Sequence, residues 1–269
     1  MLTGKPGLPF CSRPYNTLPM KRMHFVSSST ELARSSYDRL VDRYGQTPVE
    51  AATVVVALGG DGLMLSTLHR HLGLPVYGMN RGTAGFLMNE YREDNLPERV
   101  AAAEVTSIHP LHMTAESHDG HRHEALGINE ISVLREGPQS ASLKISVNGK
   151  VRMDSLGCDG VLLSTAAGST AYNYSAHGPI IPLGSNVLAL TPIAAFRPRR
   201  WRGAILPDTA QLRIDVLQAE KRPVMAGADA RGFESVLWVE VRSRPDIIHN
   251  LLFDPGHGLD ERLMREQFV

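Results

Sequence analysis

Cysteine is nearly absent from the 269 residues: Cys11 and Cys158 stand far apart and in no zinc-ligand spacing. That excludes a disulfide framework and a cysteine-rich metal site, and a reducing cytoplasm is the expected compartment. Net charge is absent as well, since 28 Lys and Arg balance 28 Asp and Glu. A dedicated nucleic-acid binder usually carries a basic excess, so the partners expected are small molecules. The longest uncharged apolar runs, Ala51 to Gly60 and Val187 to Phe196, fall short of the ~18 residues needed to span a bilayer. No membrane partner is expected. Residues Met1 to Met20 lack the apolar core of a signal peptide and are expected to be a flexible tail or an over-extended start. Repeats and low-complexity segments are missing too. What remains, 42% hydrophobic and 21% charged residues, is the mix of a globular chain long enough for one large domain or two ordinary ones.

From Met23 the pattern is regular. Met23-His24-Phe25-Val26 reads as a short strand, and Ala33, Tyr37, Leu40, Val41 and Tyr44 mark one helical face that Gly45 stops. Thr53 to Leu58 is a β-branched run of the kind buried on both faces of a parallel sheet. The turn Gly59-Gly60-Asp61-Gly62 follows, then a helix carrying Leu63, Leu65, Leu68 and Leu72 with Gly73 after it. A strand at Pro75 to Met79 and a second glycine turn, Asn80 to Gly85, complete an open α/β layer. Beyond Glu104 short alternating segments dominate. Asn148-Gly149 between Ile145-Ser146-Val147 and Lys150-Val151-Arg152 is a hairpin signal. Further strands are expected at Gly160 to Ser164, Val187 to Leu190, Leu212 to Leu217 and Val236 to Val241. The expected fold is α/β: an N-terminal open, Rossmann-like layer plus a mostly β, sandwich-like second half. The expected divisions are 1–22 (tail), 23–105 (nucleotide-binding α/β domain), 106–250 (β-rich domain) and 251–269, a partly helical segment returning to the first domain.

Two standard phosphate loops are missing: there is no G-x-x-x-x-G-K-[ST], and no G-x-G-x-x-G follows a strand. What stands between the buried strand and its helix is Gly59-Gly60-Asp61-Gly62. Glycines there let backbone N–H groups approach an anion while the helix N-terminus adds a favourable dipole. A carboxylate gains nothing from a phosphate alone. Asp61 makes sense if it takes a proton from a hydroxyl, orients that hydroxyl or holds water on a metal; the plain alternative is a helix cap. A second constellation runs from Asp159 to Tyr172, where a strand enters a small-residue, hydroxyl-rich turn. Ser169 and Thr170 can cap the short helix there or offer groups to a ribose or phosphate, and Tyr172 can stack on a base. The glycine spacing is not that of a serine-hydrolase elbow. Third, Asn129-Glu130 sets an amide beside a carboxylate before Ile131-Ser132-Val133-Leu134.

These pieces, with Asn80-Arg81-Gly82-Thr83-Ala84-Gly85-Phe86-Leu87 and with Ser175 and Gly178-Pro179 downstream, occur in the order and spacing that resemble the NAD kinase family. The resemblance runs from about Met23 to the C-terminus. It implies a two-domain, homo-oligomeric fold, phosphofructokinase-like in its first half, with a site between the domains. It also implies ATP-dependent phosphorylation of the adenosine-side ribose 2′-hydroxyl of NAD, with a divalent metal, Mg²⁺, carried by ATP and no metal-ligating residue assigned. By position it implies Asp61 as proton acceptor and Gly59, Gly60 and Gly62 as the ATP phosphate turn. It further implies an NAD pocket of Asp61, Gly62, Asn129, Glu130, Asp159, Thr170, Ala171, Tyr172, Asn173, Tyr174 and Ser175, with Phe86 near the adenine. Departures from the family pattern are Ala84, Thr165-Ala166-Ala167, Gly157 where a basic residue is usual, and Ala230 where histidine is usual.

Other signals compete. His112, His118, His121 and His123 fall close together around Asp119-Gly120 and are read as solvated loop histidines, since their spacing fits no fixed metal site. Arg197, Arg199, Arg200 and Arg202 form a basic run suited to ATP phosphates or a subunit contact, or simply a solvated face. Lipid kinases and phosphofructokinases share the GGDG turn, and a non-catalytic NAD sensor would keep the pocket. Asp61 speaks against the sensor, because a pure binder has no use for a base.

Overall fold

The computed structural model describes residues 22–71, 73–83 and 85–268; the expected tail through residue 21, with Cys11, and also Leu72 and Ala84, lie outside the described residues. In chain order the first elements are β1 (Met23–Ser27), α1 (Glu31–Tyr44), β2 (Val54–Gly59), α2 (Asp61–Arg70), β3 (Val76–Asn80), α3 (Leu96–Ala102) and β4 (Glu104–Ile108). The β-rich half follows: β5 (Leu111–Ser117), β6 (Arg122–Gly127), β7 (Glu130–Arg135), β8 (Ala141–Val147), β9 (Lys150–Cys158) and β10 (Gly160–Ser164). After a short α4 (Tyr172–Ser175) come β11 (Val187–Ile193), β12 (Ala204–Pro207), β13 (Leu212–Val216), β14 (Val224–Ala228), β15 (Arg231–Phe233) and β16 (Val236–Ser243). β17 (His249–Phe253) and α5 (Leu259–Glu266) close the chain.

β1, β2 and β3 pair in parallel, and β17 enters the same sheet between β3 and β4, giving the order β1-β2-β3-β17-β4. All six residues of β2 are buried because both faces of this sheet are covered. Side chains alternate across a strand. Val54, Val56 and Leu58 therefore join Phe25, Leu40 and Tyr77 on the α1 side, while Val55 and Ala57 join Met64, Leu68, Leu259 and Leu263 under α2 and α5. Each Val, Leu, Phe or Met among them contributes about 1.5 to 3 kcal/mol by leaving water. Thr30 caps α1 through its hydroxyl on the Ala33 N–H, and Gly45, at φ +76°, ends it.

The β-rich half is a sandwich of two six-stranded antiparallel sheets, β12-β11-β10-β7-β14-β15 and β6-β5-β16-β13-β8-β9. Residues from both inner faces, among them Met113, Val133, Ile145, Leu163, Ile214 and Val239, form one core. Asn148 and Gly149, at φ +51° and +72°, turn the β8–β9 hairpin as its sequence demands. Among the described residues no helix is long and apolar enough to cross a membrane.

The end of α2 differs from expectation. α2 ends at Arg70, with His71 as its C-cap, rather than continuing to Leu72. Gly73, at φ +89°, and Pro75 cannot prolong it. The second glycine turn leads into an irregular stretch, and α3 begins at Leu96 after Asn95 in the left-handed region. The four histidines do not converge, and only His118 and His121 are the exposed turn residues expected: His121 pairs with Asp119, whereas His123 lies on β6 bonded to Ser117 and His112 lies on β5 facing Glu124.

Candidate active site

The glycine turn lies at the C-terminal end of β2, where open α/β sheets bind ligands. Gly60 is the N-cap of α2, with no side-chain cap, and Asp61 is the first helical residue. Its carboxylate does not cap the helix. Oδ2 accepts the Phe86 N–H at 2.9 Å and Oδ1 accepts the Leu87 N–H at 2.8 Å. The plain alternative for Asp61 is thereby overturned, because the carboxylate is held against the second glycine turn instead. That turn is pressed onto the first: the Arg81 N–H donates to Gly59 O at 2.7 Å, and a Cβ at Gly82 would lie 3.0 Å from Gly60 Cα. Over Gly62 nothing lies within 4 Å of a would-be Cβ, so its backbone is open to a ligand.

Two arginines that sequence reasoning left without a role act here. Arg262 of α5 donates to the carbonyls of Phe86 and Met88, at 2.7 Å each, and so fixes the loop whose amides hold Asp61. Burial lowers the Arg262 guanidinium from its usual range, and the Asp61 charge opposes the shift. Arg81 stacks its guanidinium 3.3 Å from the centre of the Tyr91 ring, and its buried Nε has no hydrogen-bond partner. It is thus a cation preorganised beside the Gly59 to Gly62 turn.

Across from these loops stands Asn129-Glu130, at the start of β7. Its backbone is fixed from two sides. The Asn129 carbonyl accepts the Thr165 N–H at 3.0 Å, and the Ile128 and Asn129 N–H groups donate to the two carboxylate oxygens of Asp229, each at 2.8 Å. Gly168 lies so close that a Cβ there would be 2.2 Å from Asn129 O. The side chains are the reverse of satisfied: Asn129 Oδ1 and Glu130 Oε2 are buried with no partner. Burial, aided by the Asp229 charge, pushes the Glu130 carboxyl up to about 7. Buried acceptors of this kind cost free energy until a donor arrives.

The Gly168 to Ser175 segment divides into brace and rim. Ser169 and Thr170 do not cap α4, whose N-cap is Ala171. Ser169 is fully buried, donating to Ala166 O and accepting from the Ile181 N–H at 3.0 Å. Asn173 needs a correction as a pocket residue. Its amide donates to Ser169 O and Pro179 O and accepts from Thr191 Oγ1, and no part of it is exposed, so its side chain is spent on holding the turn. Thr170 and Ala171 are half-buried, while Tyr172, Tyr174 and Ser175 are exposed. Burial, then the Glu130 and Asp159 carboxylates, push the Tyr172 phenol up, which places all three groups in one neighbourhood. Asp159 is paired with Arg135 at 2.6 Å. Gly157 bridges the backbone of Arg197 at 2.7 Å, so the basic run begins two residues from Asp159 in the chain's pairing. Ala230 follows Asp229 in the turn between β14 and β15.

The two halves meet in one apolar cluster. Met64, Leu87 and Met88 from the first sheet's side pack with Ile128 and Ala167 from the sandwich, and Phe86 lies half-buried on them. Asp61 and Asn129-Glu130 thus flank a common seam. Among the described residues no group of three or more His, Cys, Asp or Glu side chains is placed to hold a metal.

A glycine turn with a fixed carboxylate, a preorganised guanidinium beside it and buried unsatisfied acceptors joined to it through one apolar cluster fits a phosphotransferase site. Comparison with known proteins narrows the class. The ATP-NAD kinase C-terminal domain family matches residues 128–242. The NAD kinase of Cereibacter sphaeroides is 61% identical over 251 residues, 93% of this chain and 99% of that one. The NAD kinase of Brucella suis is 52% identical over 248 residues, 91% and 96% of the two chains. The chain belongs to the NAD kinase family. Its fold is that of yeast NADH kinase complexed with NADH (TM-score 0.81, 19% identity, 94% of this chain and 88% of the other). It also matches an Archaeoglobus fulgidus NAD kinase in complex with ATP (TM-score 0.70, 22% identity, 91% and 97%).

Proposed function

We propose that the chain transfers the γ-phosphoryl group of ATP to the 2′-hydroxyl of the adenosine ribose of NAD, forming NADP and ADP. The observation that carries this reading is the pair of buried, unpartnered acceptors, Asn129 Oδ1 and Glu130 Oε2, next to Ile128 of the apolar cluster that also holds Leu87, whose amide binds Asp61. Hydroxyl donors of a ribose meet that demand. Asp159, Thr170, Ala171, Tyr172, Tyr174 and Ser175 form the rest of the NAD pocket, with Asn173 acting only through its backbone and as a brace. Phe86 packs near the adenine. Gly59, Gly60 and Gly62 offer backbone to the ATP phosphates, Arg81 adds positive charge, and a divalent ion enters with ATP, neutralising phosphate charge.

In the transfer, the 2′-oxygen bonds to the γ-phosphorus while the bond to the β–γ bridging oxygen breaks and ADP leaves. The hydroxyl proton passes to Asp61. The amides of Phe86 and Leu87 aim that carboxylate, and Arg262 aims the amides, so positioning rather than covalent chemistry lowers the barrier. A homo-oligomer completes the reading: Phe196 and Ile205, 48% and 52% exposed, offer apolar area that a second copy would cover. Sedimentation at a multiple of 29.4 kDa would support it, and a monomer would refute it.

Asp61→Asn tests the chemistry, with Arg262→Met as control. Asparagine has one acceptor oxygen for two backbone N–H groups, so this substitution also loosens the 85–88 loop. Arg262→Met loosens the same loop but keeps the carboxylate. Loss of a general base costs about 10² to 10⁴ in rate, so kcat at saturating NAD and ATP should fall that far in Asp61→Asn and much less in Arg262→Met. Equal losses would reduce Asp61 to a loop anchor.

A further inference from the structure

We infer that His69 is a positioning residue for the NAD site, acting through Asp229 on the backbone of Asn129 and Glu130. The inference rests on the reading that Asn129 and Glu130 bind NAD. His69 lies on α2, and its Nε2–H donates to Asp229 Oδ2 at 2.9 Å. That carboxylate gathers three successive backbone donors: Ile128 N–H on Oδ2 at 2.8 Å, then Asn129 and Glu130 N–H on Oδ1 at 2.8 and 3.4 Å. The Asp229 N–H returns to Glu130 O at 3.2 Å. The Asp229 side chain is 4% exposed and its φ is +49°, a left-handed conformation that a non-glycine residue adopts at a cost. A buried carboxylate in a strained turn, wrapped by the amides of the very residues that carry the two orphaned acceptors, sets where those acceptors point. His69 is its only side-chain donor among the described residues.

The ring of His69 is itself held. His249 of β17 packs edge-on against it at 6.3 Å between centroids and is 2% exposed. Burial and the neighbouring His69 lower the His249 imidazole to about 4, so it stays neutral near pH 7. A single helix therefore carries Asp61 at its first turn and His69 eight residues on, about 12 Å along the axis at 1.5 Å per residue. One end presents the carboxylate proposed to take the proton. The other end grips the turn that shapes the NAD-binding strand. The helix thus sets the spacing between base and acceptor site, and an error in that spacing of even an ångström is costly to a positioned reaction.

The test is steady-state kinetics on folded full-length variants, with KM for NAD and KM for ATP measured separately. His69→Phe keeps ring and volume but cannot donate. It should raise the KM for NAD about tenfold, the cost of one hydrogen bond to a charged group, and leave the KM for ATP within about twofold. His69→Gln, whose amide nitrogen reaches about as far as Nε2, should restore most of the loss. His69→Asn, which falls short, should not. If His69→Phe does not fold, the Gln and Asn variants carry the comparison. In an Asp229→Asn background the His69 substitution should add little, because the two act as one unit. A merely structural bridge between the halves would shift both KM values alike, or lower melting temperature with no change in KM, and either result overturns the inference. A Gln variant no better than Asn would do the same. Glu130→Ala separates the two levels: unchanged KM for NAD there refutes the NAD-site reading itself, whereas a rise there without one in His69→Phe refutes only the role of His69.

Discussion

Replacing Glu130 by glutamine should stabilise the protein progressively as pH rises above about 4.5 and leave it unchanged below that. The carboxyl is displaced from its usual 4.5 to about 7, first by burial and then by Asp229. A tenfold change in proton affinity is worth about 1.4 kcal/mol, so the full displacement carries about 3 kcal/mol. The sign follows from linkage. A carboxyl whose folded-state pKa is raised favours folding while protonated, so its contribution is intact below about pH 4.5 and is lost as pH rises through about 7. Glutamine has the same shape and no charge to strand. The stability gap between variant and native chain should therefore be near zero at pH 4.5 or below, about 1.4 kcal/mol at pH 5.5 and about 3 kcal/mol at pH 8.5. Urea unfolding at those pH values measures it directly. Binding gives a second readout of opposite direction. Ribose hydroxyls donate to a carboxylate better than to a carboxyl, so the native chain's NAD dissociation constant should fall about tenfold between pH 6 and 8.5 as Glu130 ionises. In Glu130→Gln it should stay flat. Equal stability of the two chains at every pH would show that no carboxylate is stranded there, and the argument from unpartnered acceptors would fail with it.

Other substitutions probe the same architecture. Gly168→Ala must displace the Asn129 backbone, since its Cβ would lie 2.2 Å from Asn129 O; overpacking of this kind costs about 1 to 3 kcal/mol, and calorimetry should show NAD affinity lost while ATP affinity survives. Arg81→Ala removes the stacked guanidinium beside the turn proposed to hold the ATP phosphates and should raise the KM for ATP about tenfold, as expected for one charge-assisted hydrogen bond, with the KM for NAD within about twofold. Equal effects on both substrates would remove Arg81 from the donor site. Arg262→Met strands the Phe86 and Met88 carbonyls and should lower stability by about 2 to 4 kcal/mol, visible as a drop of several degrees in Tm.

Local pattern was enough for much of the scaffold. The run Val54 to Leu58 announces a strand covered on both faces, Gly45 announces the end of α1, and Asn148-Gly149 announces a hairpin, because each depends on the backbone preferences of neighbouring residues. Motif order along the chain likewise brought Asp61, Asn129, Glu130 and the Gly168 to Ser175 turn to notice. What periodicity cannot report is a partner far away in sequence. Asp61 reads locally as a helix cap, yet its two oxygens are engaged 25 and 26 residues on. Asn173 reads as a pocket residue, yet its amide is consumed by Ser169, Pro179 and Thr191. Arg262 lies 176 residues from the carbonyl it holds at Phe86, and His69 lies 160 from Asp229. Side-chain hydrogen bonds of that range exist only after apolar faces have chosen their neighbours. Which elements form and which residues carry reactive groups follows from local sterics and hydrophobic period. Which of those groups the protein itself satisfies and which, like Glu130 Oε2, stay without a partner emerges only in the folded chain, because satisfaction is a property of close packing between segments distant in the chain.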